Sequence, residues 1–112
     1  MTATLTQEQV TAIVTEAYTE ANKAARNFLA VHGDRDCCGF AWTNIYGVKG
    51  NTKLGKMLKA AGVRQDYTKA FQLWNPAKLP VQSLSVLEAG AQAAADVFRK
   101  YGFEAYAGSR LD

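Results

Sequence analysis

The chain has 112 residues, the size of one ordinary domain, and 48% of them are hydrophobic against 21% charged. That excludes separate independent cores, a disordered chain and a collagen-like one. The formal charge of +3 is small beside the many phosphate contacts of a strong nonspecific nucleic-acid binder.

Thr6 followed by Gln9 has the form of a capping box, in which the hydroxyl and the amide each answer a backbone donor at a helix start. Val10, Ile13, Val14, Ala17, Ala21, Ala24, Phe28 and Leu29 then recur at helical spacing, and Gly33 is a suitable left-handed stop. The middle of this stripe is alanine, so whatever packs there must come close. From Cys38 to Tyr46 the residues predict a strand, with Phe40, Trp42, Asn44 and Tyr46 on one side and Ala41, Thr43 and Ile45 on the other. After a turn, Asn51 or Thr52 caps a short helix with Leu54, Met57, Leu58 and Ala61 inward and Gly62 at its end. Lys53, Lys56 and Lys59 share the outer side of that helix.

Tyr67–Trp74 reads as a second strand, closed by Asn75-Pro76. Ser85 with Glu88 reads as a second capping box, opening a helix through Tyr101 with Leu87, Ala91, Ala94, Val97, Phe98 and Tyr101 inward. Gly102 ends it, Phe103–Tyr106 makes a third strand, and residues 108–112 remain as a tail. The order α-β-α-β-α-β predicts one α+β domain over residues 1–112, a three-stranded sheet with helices packed on one face.

Charge is unevenly placed. Residues 44–80 carry seven basic side chains against Asp66 alone, a local +6, while the segments before and after are at −2 and −1. Such a block attracts anions, phosphates above all, although lysines on a solvated helix face give the same count with no partner. Gly50 to Lys56 has the spacing of a phosphate-binding P-loop, but Met57 stands where that motif needs Ser or Thr to hold a metal. What survives is a helix start flanked by Lys49 and Lys53, suited to an anion. Trp42, Tyr46, Tyr67, Phe71 and Trp74 flank the basic stretch, the interleaving with which rings stack on bases while Lys and Arg hold phosphates. Three of these five rings are expected in the core.

His32, Asp34, Asp36, Cys37 and Cys38 form the one cluster of metal-ligating types, and no second pair completes a tetrahedral site. A cysteine nucleophile lacks an orienting third group, so Cys38 is expected as a small buried residue at a strand start. Adjacent cysteines do not staple a domain, and two free thiols in a reducing compartment is the simpler assignment. Asp34 and Asp36 are expected in solvent. No catalytic residue, metal or cofactor is assigned. No apolar run approaches the about 20 residues that cross a bilayer, and the opening lacks the blocks of an export signal, so a soluble, unexported protein with no membrane partner is expected.

The strings Cys38-Gly39-Phe40-Ala41-Trp42, Gly47 to Lys56, Phe71-Gln72-Leu73-Trp74-Asn75-Pro76, and Glu88 through Tyr106 to Asp112 resemble small uncharacterised proteins encoded by tailed bacteriophages. The likeness covers roughly residues 37 to 112 and implies a setting, the cytoplasm of an infected bacterium, but no mechanism. In that setting three functions compete. The first is a binder of a small phosphorylated or nucleotide-derived ligand that sequesters a host antiviral signal. Its site joins Trp42, Asn44 and Tyr46 to Lys49, Asn51, Lys53 and Lys56, with Arg64, Trp74 and Arg110 as walls. The second is an accessory factor that binds a host protein through exposed aromatics, with a homodimer as one form. The third is a nucleic-acid binder using the basic helix.

Overall fold

The computed structural model describes residues 5–34 and 37–111. Among them three helices and a four-stranded antiparallel sheet form an α+β fold. Helix α1 spans Gln7–His32 and starts as its sequence predicts, with the Thr6 hydroxyl accepting from the Gln9 N–H and the Gln9 amide oxygen accepting from the Thr6 N–H at 2.9 Å. Strand β1 is Gly39–Tyr46, α2 is Lys53–Ala60, β2 is Arg64–Gln65, β3 is Phe71–Trp74, α3 is Leu84–Lys100 and β4 is Glu104–Leu111. Thr52, not Asn51, caps α2, its hydroxyl accepting from the Gly55 N–H at 3.1 Å.

Three expectations are corrected. The segment predicted as one strand from Tyr67 is broken by a turn. The Asp66 carboxylate accepts from the N–H groups of Thr68 and Ala70 and from the Thr68 hydroxyl, and Lys69 takes a positive φ of 70°. Only Phe71–Trp74 stays in strand, and Arg64–Gln65 adds a short fourth strand beside it, so the sheet has four strands, not three. The second capping box does not form: α3 begins after Ser83, where the Ser83 N–H donates to the Asp34 carboxylate and the Leu84 N–H to the Cys37 carbonyl. Glu88 instead accepts from the Ser109 hydroxyl. Finally, the residues expected as a tail from Gly108 continue β4 to Leu111.

The strand order is β2-β3-β1-β4. From β1 onward the chain runs strand, helix, strand, strand, helix, strand, with β3 inserted between β1 and β2 and with β1 inserted between β3 and β4. This is the split βαβ, ferredoxin-like arrangement, and α1 precedes it. Alternation puts Ala41, Thr43, Ile45, Phe71, Leu73 and Ala105 on the face that is buried. Helix α3 packs directly on β1 and β4, and α1 packs along α3. Thr43, fully buried, donates to the Ala91 carbonyl of α3 at 2.8 Å, which satisfies the one hydroxyl on that side of β1. The close approach read from the alanine stripe is present: a Cβ on Gly90 of α3 would lie 2.6 Å from the Cβ of Ala77 and 3.1 Å from the Ala21 carbonyl oxygen of α1. Ala25, not Ala24, completes the buried stripe of α1.

Candidate functional site

The other face of the sheet carries no helix among the described residues, and its composition follows from the β1 alternation. The strand register orders it in rows. Trp42 lies between Trp74 on β3 and Gly108 on β4; Asn44 lies between Gln72 and Tyr106, with Arg64 beyond Gln72; Phe40 faces Arg110, and Tyr46 faces Glu104.

Its centre is aromatic. The Trp42 and Trp74 rings stack with centroids 5.6 Å apart and planes 9° from parallel, and Phe40 stacks on Trp74 at 5.8 Å. The Trp42 indole lies directly over the backbone of β4, because a Cβ on Gly108 would fall 2.4 Å from its Nε1. Toward the other end, Tyr46 and Tyr106 contact at 6.1 Å. Cations frame both clusters: the Arg110 guanidinium is 5.4 Å from the Phe40 ring and that of Arg99 is 5.7 Å from the Tyr106 ring. Trp74, Tyr46 and Tyr106 are 39%, 42% and 48% exposed, so the face presents π surface to solvent. Of the five rings that flank the basic stretch, only Phe71 is fully buried, and Tyr67 stands in solvent.

Ile45 pairs with Phe71, so the chain leaving β1 and the chain entering β3 emerge at one end of the sheet. Between them lies a cavity of about 590 Å³ lined by Lys49, Asn51, Lys59, Gln65, Thr68 and Lys69 together with Val48 and Gly50. Lys59 Nζ donates to the Gly50 carbonyl at 3.3 Å and Gln65 Nε2 to the Lys69 carbonyl at 2.9 Å, holding the two walls. Among the described residues no carboxylate lines the cavity. Asp66, next to it in sequence, engages its Oδ1 in its own turn, and the Thr68 hydroxyl above all holds its carboxyl below the usual carboxylate range. Three ammonium groups therefore surround polar space without a counter-charge, which suits an anion.

The structure divides the predicted site in two. Trp42, Asn44, Tyr46, Arg64, Trp74 and Arg110 share the open face, and Lys49 and Asn51 line the cavity. Lys53 and Lys56 are exposed on α2 and line neither. Phe40 and Tyr106 on the face, Arg99 of α3 beside Tyr106, and Lys59 and Lys69 in the cavity lie outside the site that the sequence predicts. Phe40 was legible, since it shares the parity of Trp42. Lys59 and Lys69 were not, because they meet Lys49 only through the fold.

The cysteine region is otherwise than predicted. Cys38 is exposed, not buried, and its thiol donates to the Gln82 amide oxygen at 3.3 Å; Cys37 is exposed as well. His32 lies 4.3 Å from the Phe28 ring. Asp34 is exposed yet tied to the Ser83 N–H, and Asp36 falls outside the described residues. No group of three metal-ligating side chains occurs among the described residues, and no helix among them is long and apolar enough to cross a membrane. Compared with protein families, curated proteins and solved structures, the chain matches none.

Proposed function

We propose that this protein binds a short single-stranded oligonucleotide on the open face of its sheet. The observation that carries the reading is the parallel Trp42–Trp74 pair, with Phe40 beside it, on the two central strands of an uncovered four-stranded sheet. A flat face of rings framed by arginines suits bases that stack while guanidinium groups meet phosphates, and four-stranded sheets with aromatics on the central strands stack two or three bases in this way. Asn44 and Gln72 sit between the two aromatic clusters and offer amide donors and acceptors to base edges. Few cations serve the face: Arg64 and Arg110 against Glu104, with Arg99 of α3 reaching the Tyr106 ring while paired with Asp96. Affinity is therefore modest and rests more on stacking than on charge.

A second reading, a small phosphorylated or nucleotide-derived ligand, is favoured by the lysine-lined cavity, whose about 590 Å³ lies within the range of small-molecule sites. If the chain works in a phage-infected bacterium, such a ligand would be a host antiviral signal held out of circulation.

Tryptophan fluorescence separates the two. Titration with oligothymidylate should quench the indoles. Trp74→Ala, which truncates an exposed side chain, should weaken binding about 5- to 150-fold, the equivalent of about 1–3 kcal/mol for one stacked base. Lys59→Ala should leave oligonucleotide binding nearly unchanged and weaken binding of a mononucleotide. Unquenched indoles across oligonucleotides of all four bases would sink the first reading.

A further inference from the structure

The two edges of the sheet differ. The β2 edge is two residues long and carries Arg64, a short charged edge of the kind that resists pairing with another chain. The β4 edge is eight residues long, Glu104–Leu111, and contains no proline or lysine. Strand β4 is paired along its whole length with β1 on one side and is the terminal strand on the other, so its outward N–H and C=O groups form a template for a further strand.

What that strand should be is written in β4 itself. In an antiparallel pair of identical strands related by a two-fold axis perpendicular to the sheet, opposed residues share a face, so their numbers have an even sum. With the axis at Ala107, Glu104 opposes Arg110 of the second copy, and Arg110 opposes Glu104 of the second copy. Two opposite-charge pairs then close the ends of the ladder. Neither Glu104 nor Arg110 has an ion pair among the described residues. On the same face Tyr106 opposes Gly108, over which the Trp42 indole lies, so the second copy's Tyr106 comes beside that ring. On the helix face Ala107 opposes itself and Ala105 opposes Ser109, small residues that let two helix layers meet across the seam.

We propose that two copies of this chain associate through β4 in that register, joining two four-stranded sheets into one of eight strands with the aromatic faces continuous. The contact is narrow, so the dimer forms and dissociates with concentration. The inference does not depend on nucleic-acid binding and is tested without it.

Sedimentation velocity over a concentration series reads the association. Wild type should pass from monomer to dimer. Glu104→Arg and Arg110→Glu each place like charges opposite one another twice and should weaken the dimer about tenfold, while the double variant restores it. A second measurement fixes the register without altering charge. With Cys37→Ser and Cys38→Ser as background, Ala107→Cys should form a disulfide-linked dimer under mild oxidation, and Ser109→Cys should not. A wild type monomeric at every concentration overturns the proposal, as do single charge variants that dimerise like wild type or cross-linking at 109 in preference to 107.

Discussion

Gly108 separates the architecture of the aromatic face from the stability of the fold. Its φ lies outside the left-handed region, so alanine fits the backbone there. The added Cβ would meet Trp42 at 2.4 Å from Nε1, 2.7 Å from Cε2 and 3.0 Å from Cζ2. Ordinary carbon contacts are about 3.5–4.0 Å, so the indole must lift by about 1 Å. Only a side chain on an uncovered face has to move, so the strain is small. Two effects on stability oppose one another: removing a strand glycine contributes about 0.5–1 kcal/mol, and disturbing the Trp42–Trp74 stack costs about 0.5–1.5 kcal/mol. Gly108→Ala should therefore unfold in urea within about 1 kcal/mol of wild type. Its near-ultraviolet circular dichroism should lose the signature of the coupled indoles, and its oligonucleotide affinity should fall about tenfold, a partial loss of one stacked base. In a Trp42→Ala background the same substitution should change neither. A Gly108→Ala protein with the indole signature and the affinity of wild type would refute the argument. So would a large loss of stability, which would mean that the backbone and not the ring requires glycine.

Two further predictions concern the helix layer. Gly90→Ala gains about 1 kcal/mol of helix propensity but drives a Cβ into Ala77 and toward the Ala21 carbonyl, atoms that move only with the backbone. Overpacking of that kind costs about 1–3 kcal/mol, so the net effect in urea unfolding should be a destabilisation of about 1 kcal/mol, and a variant more stable than wild type would disprove the close contact. Glu16 of α1 accepts from the Tyr101 hydroxyl at 2.6 Å and pairs with Lys100, tying the first helix to the end of the third. The Lys100 hydrogen bond above all holds the Glu16 carboxyl below its ordinary range, and Glu16 in turn raises Lys100 and Tyr101. A depressed carboxyl contributes stability above the unfolded-state value, about 4.3 for glutamate, which is lost as pH falls through the folded value. A raised lysine contributes below about 10.4 and loses that contribution as pH rises through its folded value. The melting-temperature difference between wild type and Glu16→Gln should thus be widest between these limits and shrink on both sides. A difference independent of pH would refute it.

Local signals carried much of the fold. The Thr6–Gln9 capping box and the Thr52 cap are contacts across three residues, and the strict alternation of Phe40 to Tyr46 was enough to separate a buried side of β1 from an aromatic one. What sequence reasoning missed was decided from a distance. Ser85 and Glu88 have the spacing of a cap, but the start of α3 is set by Asp34 and Cys37, which hold Ser83 and Leu84. Residues 108–112, expected as a tail, continue β4, and glycine stands in mid-strand at 108 where the Trp42 indole, from more than sixty residues earlier, occupies the space of a side chain. Lys69 holds a positive φ without being glycine or asparagine, so nothing in its identity marked the turn that cuts the predicted strand in two. The candidate site divides along the same line. Its aromatic half follows from period-two alternation, whereas its lysine cavity assembles from three separate segments.

The position of β1 also constrains how the protein is made. This strand is hydrogen-bonded on one side to β3 and on the other, along all eight of its residues, to β4, the last element of the sheet in chain order. Until β4 has left the ribosome, β1 has one open edge, and Ala105 is missing from the buried layer. Early α1 likewise waits for late α3, its principal partner. Pairings of this range form slowly, so β1 keeps one edge unpaired until β4 arrives. Over that interval the unpaired edge of β1 adds to the open aromatic face, and partly folded chains with such edges are the ones that aggregate or meet chaperones.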